Sequence, residues 1–263
     1  MITDRFGCLA KATLPNGRSK ALRFGIARVL RLDGIERGMS DLPYWTVVNL
    51  LRGILSPVCR IEVRGTRQVP AGPWILACNH LSHFDPPLIA GAFSRPIDFL
   101  AMRELFQPPW FGSLMRKCHV ISVGREEVDT VAFKTVLKRL QRGRIVGVFP
   151  EGGLRAGATS VLEGARMKEG ISLLAAKSGC CVRPAVIVGS DQLYVGKNWL
   201  RRPRVVIAVG EPISAPRAKE DRKGWTDQLA SEMRKLYAEV KRSHRLEDVV
   251  LPKTPQERWR AGR

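Results

Sequence analysis

The chain has 263 residues, of which 44% are hydrophobic and 26% are charged, a composition that excludes a disordered protein. Its 44 Lys and Arg residues outnumber its 24 Asp and Glu residues, and the net charge of +20 favours an anionic partner: nucleic acid, anionic lipid or a phosphorylated substrate. The alternative is a basic surface that serves only solubility.

Residues 1–57 precede the regular pattern and are interpreted as a basic, amphipathic helical segment. The N-terminus lacks the apolar stretch of a signal peptide, so none is expected. Apolar side chains recur at helical spacing over Leu42–Val58, but Asn49, Arg52 and Pro57 interrupt them, so this is no clear transmembrane span. Such a helix suits either the membrane interface or the protein's own core.

Residues 58–245 alternate strand-length with helix-length segments, which predicts an α/β domain with a mixed, largely parallel sheet covered by helices. The predicted strands span residues 59–64, 74–78, 97–101, 119–123, 145–149, 182–188 and 205–209. The predicted helices span residues 86–92, 110–116, 126–141, 169–177 and 219–242. Residues 246–263 are predicted to form a basic tail. Polar residues gather after Cys78, Val123 and Phe149, and chemistry is expected where such strands end.

His80 and Asp85 follow the predicted strand 74–78 directly. Pro86 restricts Asp85 to extended or turn geometry, so the chain turns and the carboxylate can reach one imidazole nitrogen. The other nitrogen is then free to take a proton from a substrate hydroxyl, without a protein nucleophile. On chemistry alone His83 could equally be the base.

A metal site is the rival interpretation of this segment, because His80, His83 and Asp85 could supply three ligands to a hydrolase. The chain has four histidines, and the other two, His119 and His244, form no second ligand cluster in the sequence. No metal is therefore expected.

Four blocks occur in one order along the chain: N-H-L-S-H-F-D at 79–85, V-I-S-V-G-R at 120–125, F-P-E-G-G-L-R at 149–155 and V-R-P-A-V-I at 182–187. Lys168 and Gly170 add a lysine-x-glycine before the next helix. Over about residues 60–210 this pattern resembles the glycerolipid acyltransferases typified by 1-acylglycerol-3-phosphate acyltransferase. Gly153 stands where that family usually has threonine, and Leu154 is inserted before Arg155.

The resemblance implies that His80 is the general base and that Asp85 orients it. His83 falls at a variable position of the motif, which makes it the less favoured base. It implies a hydroxyl attack on the thioester of acyl-CoA or acyl-carrier protein, with no tightly bound cofactor. The residues expected to bind substrate are Asn79, Ser82, Arg125, Glu151, Gly152, Gly153, Arg155 and Lys168. Arginine forks and glycine backbone amides suit an acceptor phosphate.

The implied reaction acylates the free hydroxyl of a lysophosphatidate in phospholipid biosynthesis; another lysophospholipid or an amino-lipid is the alternative acceptor.

The six cysteines form no Cys-x-x-Cys pair, which favours free thiols in a reducing compartment. We therefore expect a peripheral or monotopic enzyme on an anionic membrane surface, at its cytoplasmic face. A non-catalytic nucleic-acid-binding protein is the alternative from another class. However, the aromatic clusters at 44–45 and 106–111 adjoin apolar residues, which suits lipid better, and no nucleic acid is expected.

Overall fold

The computed structural model describes residues 40–65, 71–124 and 129–244. Its strands are β1 (Arg60–Gly65), β2 (Trp74–Cys78), β3 (Ile97–Met102), β4 (Ile121–Val123), β5 (Ile145–Val148), β6 (Val182–Val188) and β7 (Arg204–Val209). Its α-helices are α1 (Leu42–Val58), α2 (Asp85–Ala92), α3 (Pro109–Lys117), α4 (Thr130–Gln141), α5 (Gly170–Ser178), α6 (Gly196–Arg201) and α7 (Arg222–Ser243). Short 3-10 helices lie at Arg103–Phe106, Gly157–Thr159, Val161–Glu163 and Ser190–Tyr194.

The seven strands form one sheet in the order β1-β7-β6-β2-β5-β3-β4. Every neighbouring pair in this described sheet is parallel except β6 with β7. The predicted mixed, largely parallel sheet covered by helices is therefore confirmed. β2 lies near the middle, and all five of its side chains are buried, as expected for a strand covered on both faces.

Helices cover both faces of the sheet, and the side chains of β2 alternate between the two cores because successive strand residues point in opposite directions. Ile75 and Ala77 pack in a core with residues of α4, α5 and α7. Trp74, Leu76 and Cys78 pack in the other core with residues of α1 and α2. Both cores therefore hold β2 in place and fix the position at which it ends.

α1 has the predicted bounds and packs on the protein's own core through Tyr44, Val48 and Leu55. The same helix leaves Leu50 and Ile54 more than half exposed, so its exposed surface also carries apolar side chains. Within the described ranges, no helix has the length and apolar character needed to cross a membrane. Residues 1–39 and the predicted tail 246–263 lie outside the described residues.

Several predicted bounds were wrong, and the starts of β4 and α4 have local reasons. β4 begins at Ile121 and not at residue 119, because His119 adopts a left-handed backbone with φ +64° where the chain leaves α3. α4 begins at Thr130 because the Asp129 side chain caps it, accepting a hydrogen bond from the Ala132 N–H at 2.9 Å. Residues 125–128 lie outside the described residues, and α6 was not predicted.

Candidate active site

The polar segment 79–85 begins where β2 ends. β2 runs parallel to both of its neighbours, β5 and β6, so the segments that follow these three strands meet at one edge. The predicted loops after Cys78 and Phe149 are brought together there, beside the segment that follows β6. The third predicted loop, after Val123, is described only as far as Gly124.

His80 and Asp85 form the predicted dyad. The Asp85 carboxylate is fully buried, and its Oδ2 lies 2.9 Å from Nδ1 of His80. The same oxygen accepts the backbone N–H of Leu81 at 2.7 Å and that of Ser82 at 2.8 Å. These three groups converge on one oxygen of the carboxylate, and the His80 side chain, 16% exposed, reaches the surface. When Nδ1–H donates to Asp85, Nε2 of a neutral ring carries the free lone pair that a general base needs.

The main chain and the ring of His80 are both held in place. Its N–H donates to Oε2 of Glu151 at 2.7 Å, and its carbonyl accepts the N–H of Arg155 at 2.8 Å. The imidazole stacks on the ring of Phe149, with centroids 4.0 Å apart and planes 17° apart. The loop that follows β5 therefore fixes His80 from three sides.

Glu151 lies inside the protein and not at its surface. Besides the His80 N–H, its carboxylate accepts the Ser160 hydroxyl at 2.7 Å and the Val161 N–H at 2.9 Å. Burial raises the pKa of the Glu151 carboxyl, and these hydrogen bonds only partly offset the effect. The structure thus gives Glu151 a bracing contact with His80, whereas a substrate contact stays a prediction.

Asn79 and Ser82 are also fully buried. The Asn79 amide donates to the carbonyl of Ile187 at 3.0 Å and accepts its N–H at 2.8 Å, which ties the end of β2 to β6. The Ser82 hydroxyl accepts the Phe84 N–H at 3.1 Å and so shapes the turn before α2. Both predicted substrate-binding residues are placed where they support the loop.

Positive charge is placed at the Gly152-Gly153 loop by Arg155 and by Lys168. Gly152 has φ +70°, and the side chain of Lys168 lies directly over it, so a Cβ there would be 2.5 Å from Cε of Lys168. The Lys168 N–H also donates to the Pro150 carbonyl at 3.1 Å, which joins the two segments. Lys168 and Arg155 are both exposed, so the loop can receive an anion.

His83 contacts Tyr194. Its N–H and its Nδ1 both lie within hydrogen-bond distance of the Tyr194 hydroxyl, at 2.9 and 2.5 Å. Desolvation, with the nearby His80, lowers the pKa of the His83 imidazole, which favours its neutral form. Among the histidines of the described residues, Asp85 bonds His80 and not His83.

Comparison with known proteins decides the family. A family model described as "Acyltransferase" matches residues 60–188. The 1-acyl-sn-glycerol-3-phosphate acyltransferase of Bacillus subtilis (strain 168) is 31% identical over 172 residues, which cover 65% of this chain and 82% of that protein. The chain belongs to this acyltransferase family.

Two further comparisons bear on substrate and fold. The lyso-ornithine lipid O-acyltransferase of Pseudomonas aeruginosa is 31% identical over 181 residues, covering 62% of this chain and 69% of that protein. The crystal structure of the 1-acyl-sn-glycerophosphate acyltransferase PlsC from Thermotoga maritima covers 74% of this chain and 78% of its own, with a TM-score of 0.57 and 21% identity. That structure shares the fold of this chain. The family match and the B. subtilis relative identify this chain as an O-acyltransferase.

In the part of the chain that the structure describes, no three His, Cys, Asp or Glu side chains lie together so that they could hold a metal ion. Arg125, predicted to bind substrate, lies outside the described residues.

Three residues around the dyad were missed by sequence reasoning: Phe149 as a stacking partner, Tyr194 at His83, and Ser190 at Asp85. Ser190 and Tyr194 begin and end the 3-10 helix that follows β6. The available signal was the Gly189-Ser190 pair directly after β6, at a strand end where polar residues gather.

Proposed function

We propose that this acyltransferase moves a fatty acyl group from acyl-CoA or acyl-carrier protein to the free hydroxyl of a lysophosphatidate. The observation that carries the proposal is the buried Asp85 carboxylate bonded to Nδ1 of a partly exposed His80. This arrangement provides a base for a substrate hydroxyl, and it needs no nucleophile from the protein.

In the proposed reaction, Nε2 of His80 takes the proton of the acceptor hydroxyl as its oxygen attacks the thioester carbonyl. The resulting tetrahedral intermediate collapses, the carbon–sulfur bond breaks, and the thiolate leaves with the bonding electron pair. The imidazolium then returns its proton to the thiolate or to solvent. Asp85 stabilises the imidazolium while it exists, and general-base help of this kind contributes about 10²–10⁴-fold.

The acceptor phosphate is proposed to bind at the Gly152-Gly153 loop with Lys168 and Arg155. Lys168 crosses Gly152, and positive-φ glycines allow an anion to approach the backbone closely. Arg125 is proposed to complete the site. Support also comes from the B. subtilis relative, whose name specifies a 1-acylglycerol-3-phosphate acceptor.

A second acceptor class, a lyso-amino-lipid, is favoured by one specific observation. Leu154 is inserted into the F-P-E-G-T-R motif and is buried, and the N–H of the next residue, Arg155, donates to the His80 carbonyl. The loop therefore departs from the motif at a point that contacts His80. The P. aeruginosa relative is named a lyso-ornithine lipid O-acyltransferase.

We propose that the enzyme works on an anionic membrane surface, at its cytoplasmic face. α1 contacts α6, and the two helices expose Leu50, Ile54, Trp199 and Leu200. Lys197, Arg201 and Arg202 are exposed beside the α6 residues, which combines apolar insertion with attraction to anionic headgroups.

A donor-by-acceptor panel tests the proposal. Purified protein is mixed with radiolabelled acyl-CoA or acyl-carrier protein and with lysophosphatidate, other lysophospholipids or lyso-ornithine lipid, and label in the product is counted. We expect incorporation into phosphatidate, and its loss in His80→Ala protein that remains folded by circular dichroism. Selective labelling of the ornithine lipid would favour the second acceptor, and full activity of His80→Ala would refute the mechanism.

A further inference from the structure

The two oxygens of Asp85 have different partners. Oδ2 accepts the bonds from His80 and from the backbone N–H groups of Leu81 and Ser82, at 2.7 to 2.9 Å. Oδ1 accepts a hydrogen bond from the Ser190 hydroxyl at 2.5 Å, its single hydrogen-bond donor within the described part of the chain. Ser190 is therefore the group that distinguishes one oxygen from the other.

The fold brings Ser190 to Asp85 from 105 residues along the sequence. β6 lies beside β2 and parallel to it, so both strands end at the same edge. Gly189 has φ +89°, and a Cβ there would collide with the Arg204 carbonyl, so glycine makes the turn that directs Ser190 inward. Neither Ser190 nor Asp85 has any exposed area, so water does not replace this bond.

We infer that Ser190 is a positioning residue of the acyl-transfer reaction, holding the Asp85 carboxylate so that Oδ2 faces Nδ1 of His80. Without the hydroxyl, Oδ1 would be a buried acceptor with no donor. The carboxylate would then gain by rotating to share the donors of Oδ2 between both oxygens, and rotation would weaken its bond to His80. The inference rests on the proposed function, because the orientation of His80 matters only if that residue takes a proton.

Three variants test the inference: Ser190→Ala removes the donor, Ser190→Thr retains it, and Thr226→Val removes a buried hydroxyl from α7. Among the described residues, that hydroxyl bonds only the Arg222 carbonyl. Turnover is measured with lysophosphatidate and a long-chain acyl-CoA. For Ser190→Ala we expect kcat to fall about 10- to 100-fold with KM nearly unchanged, the factor associated with one hydrogen bond to a charged group. Ser190→Thr should restore most of kcat, and Thr226→Val should keep it.

The Nδ1 proton resonance of His80 provides a readout that does not depend on turnover. The chain has four histidines, and His80→Gln assigns the signal. We expect Ser190→Ala to move this resonance and Ser190→Thr to leave it in place. Unchanged kcat and resonance in Ser190→Ala, or equal losses of kcat in both Ser190 variants, would overturn the inference. A shifted resonance in a protein that acylates no acceptor would instead overturn the proposed function and leave the Ser190 contact standing.

Discussion

Glu151 accepts the backbone N–H of His80 at 2.7 Å, so a carboxylate of the third sequence block fixes the main chain of the first. The other oxygen of Glu151 holds Ser160 and Val161, which belong to the chain that follows the glycine loop. Three donors on one buried carboxylate make this contact a rigid link. Through this link, changes in the loop that is proposed to bind the acceptor would reach His80, the proposed base.

Glu151→Gln should therefore lower kcat and leave the KM for the acceptor nearly unchanged. A glutamine side chain has one acceptor oxygen, so the N–H of either His80 or Val161 loses its partner in a buried site. We expect a loss in kcat of about 10- to 100-fold, measured by steady-state kinetics with the acceptor varied. Glu163→Gln, which alters a bond to the Tyr237 hydroxyl, serves as the control. A raised KM at normal kcat would show that Glu151 contacts the acceptor instead.

Gly152→Ala should weaken acceptor binding more than a backbone effect alone can explain. The alanine Cβ would displace the Lys168 side chain and would also be strained at φ +70°. Gly179 is the matched control, because it has φ +67° and open space around its Cβ position. Both alanine variants should lose about 1 kcal/mol of stability from the strained backbone. Only Gly152→Ala should raise the KM for lysophosphatidate. An equal rise in Gly179→Ala would show that displacement of Lys168 is not the cause.

Much of the sheet could be predicted because its apolar runs are short and bounded by glycine, proline or charge. β2 and β6 were predicted with their observed bounds, as was α1. The segment from Ser190 to Arg201 was not, since it forms a short 3-10 helix and a six-residue helix with no apolar periodicity.

The dyad was visible in the sequence because its two residues lie five apart in a recurrent motif. The partners that hold it were not visible, because Ser190 and Glu151 reach it only through the order of β6, β2 and β5 in the sheet. Strand order depends on tertiary packing, which the local pattern of one strand does not encode. For the same reason Asn79 was expected at the substrate, whereas its amide joins two strands.

Removal of Asp98 should destabilise the protein without changing the chemistry. Asp98 accepts three hydrogen bonds from Arg144, at 2.6 to 3.0 Å, and both side chains are buried near the start of β3, at the sheet edge opposite His80. Asp98→Ala leaves a buried guanidinium without this partner, which should lower the free energy of unfolding by about 3–5 kcal/mol. Urea unfolding measures the loss, and the exposed Asp227→Ala should change it by less than about 0.5 kcal/mol. A large fall in kcat of the folded Asp98→Ala protein would contradict this separation.

Asp41 should make the stability of the protein depend on pH in the acid range. Burial raises the pKa of the Asp41 carboxyl, but hydrogen bonds from His119 and Arg144 and the charge of Arg144 outweigh it, so the pKa falls below 3.8. Because the folded pKa is depressed, the ionised carboxylate contributes stability above pH 3.8, and this contribution is lost as the pH falls through the folded pKa.

Asp41→Asn should thus be less stable than the wild type at about pH 5, and the difference should shrink towards about pH 3. Urea unfolding of both proteins at several pH values measures this difference. A difference that stays constant over the whole range would show that ionisation of Asp41 makes no contribution.

Leu200→Asp should weaken binding to anionic vesicles while leaving the fold intact. Leu200 is 92% exposed on α6, so its replacement disturbs no packing. Insertion of a leucine side chain into lipid contributes about 1.5–3 kcal/mol, and an aspartate adds repulsion from anionic headgroups. We therefore expect at least a roughly tenfold loss of binding in co-sedimentation with vesicles of phosphatidylglycerol and phosphatidylcholine. Val131→Asp is the matched control, because Val131 is 72% exposed on α4, whose buried residues pack in the core on the other face of the sheet. Equal losses in both variants would show that net charge alone governs the binding, and unchanged binding of Leu200→Asp would place the lipid contact elsewhere on the protein.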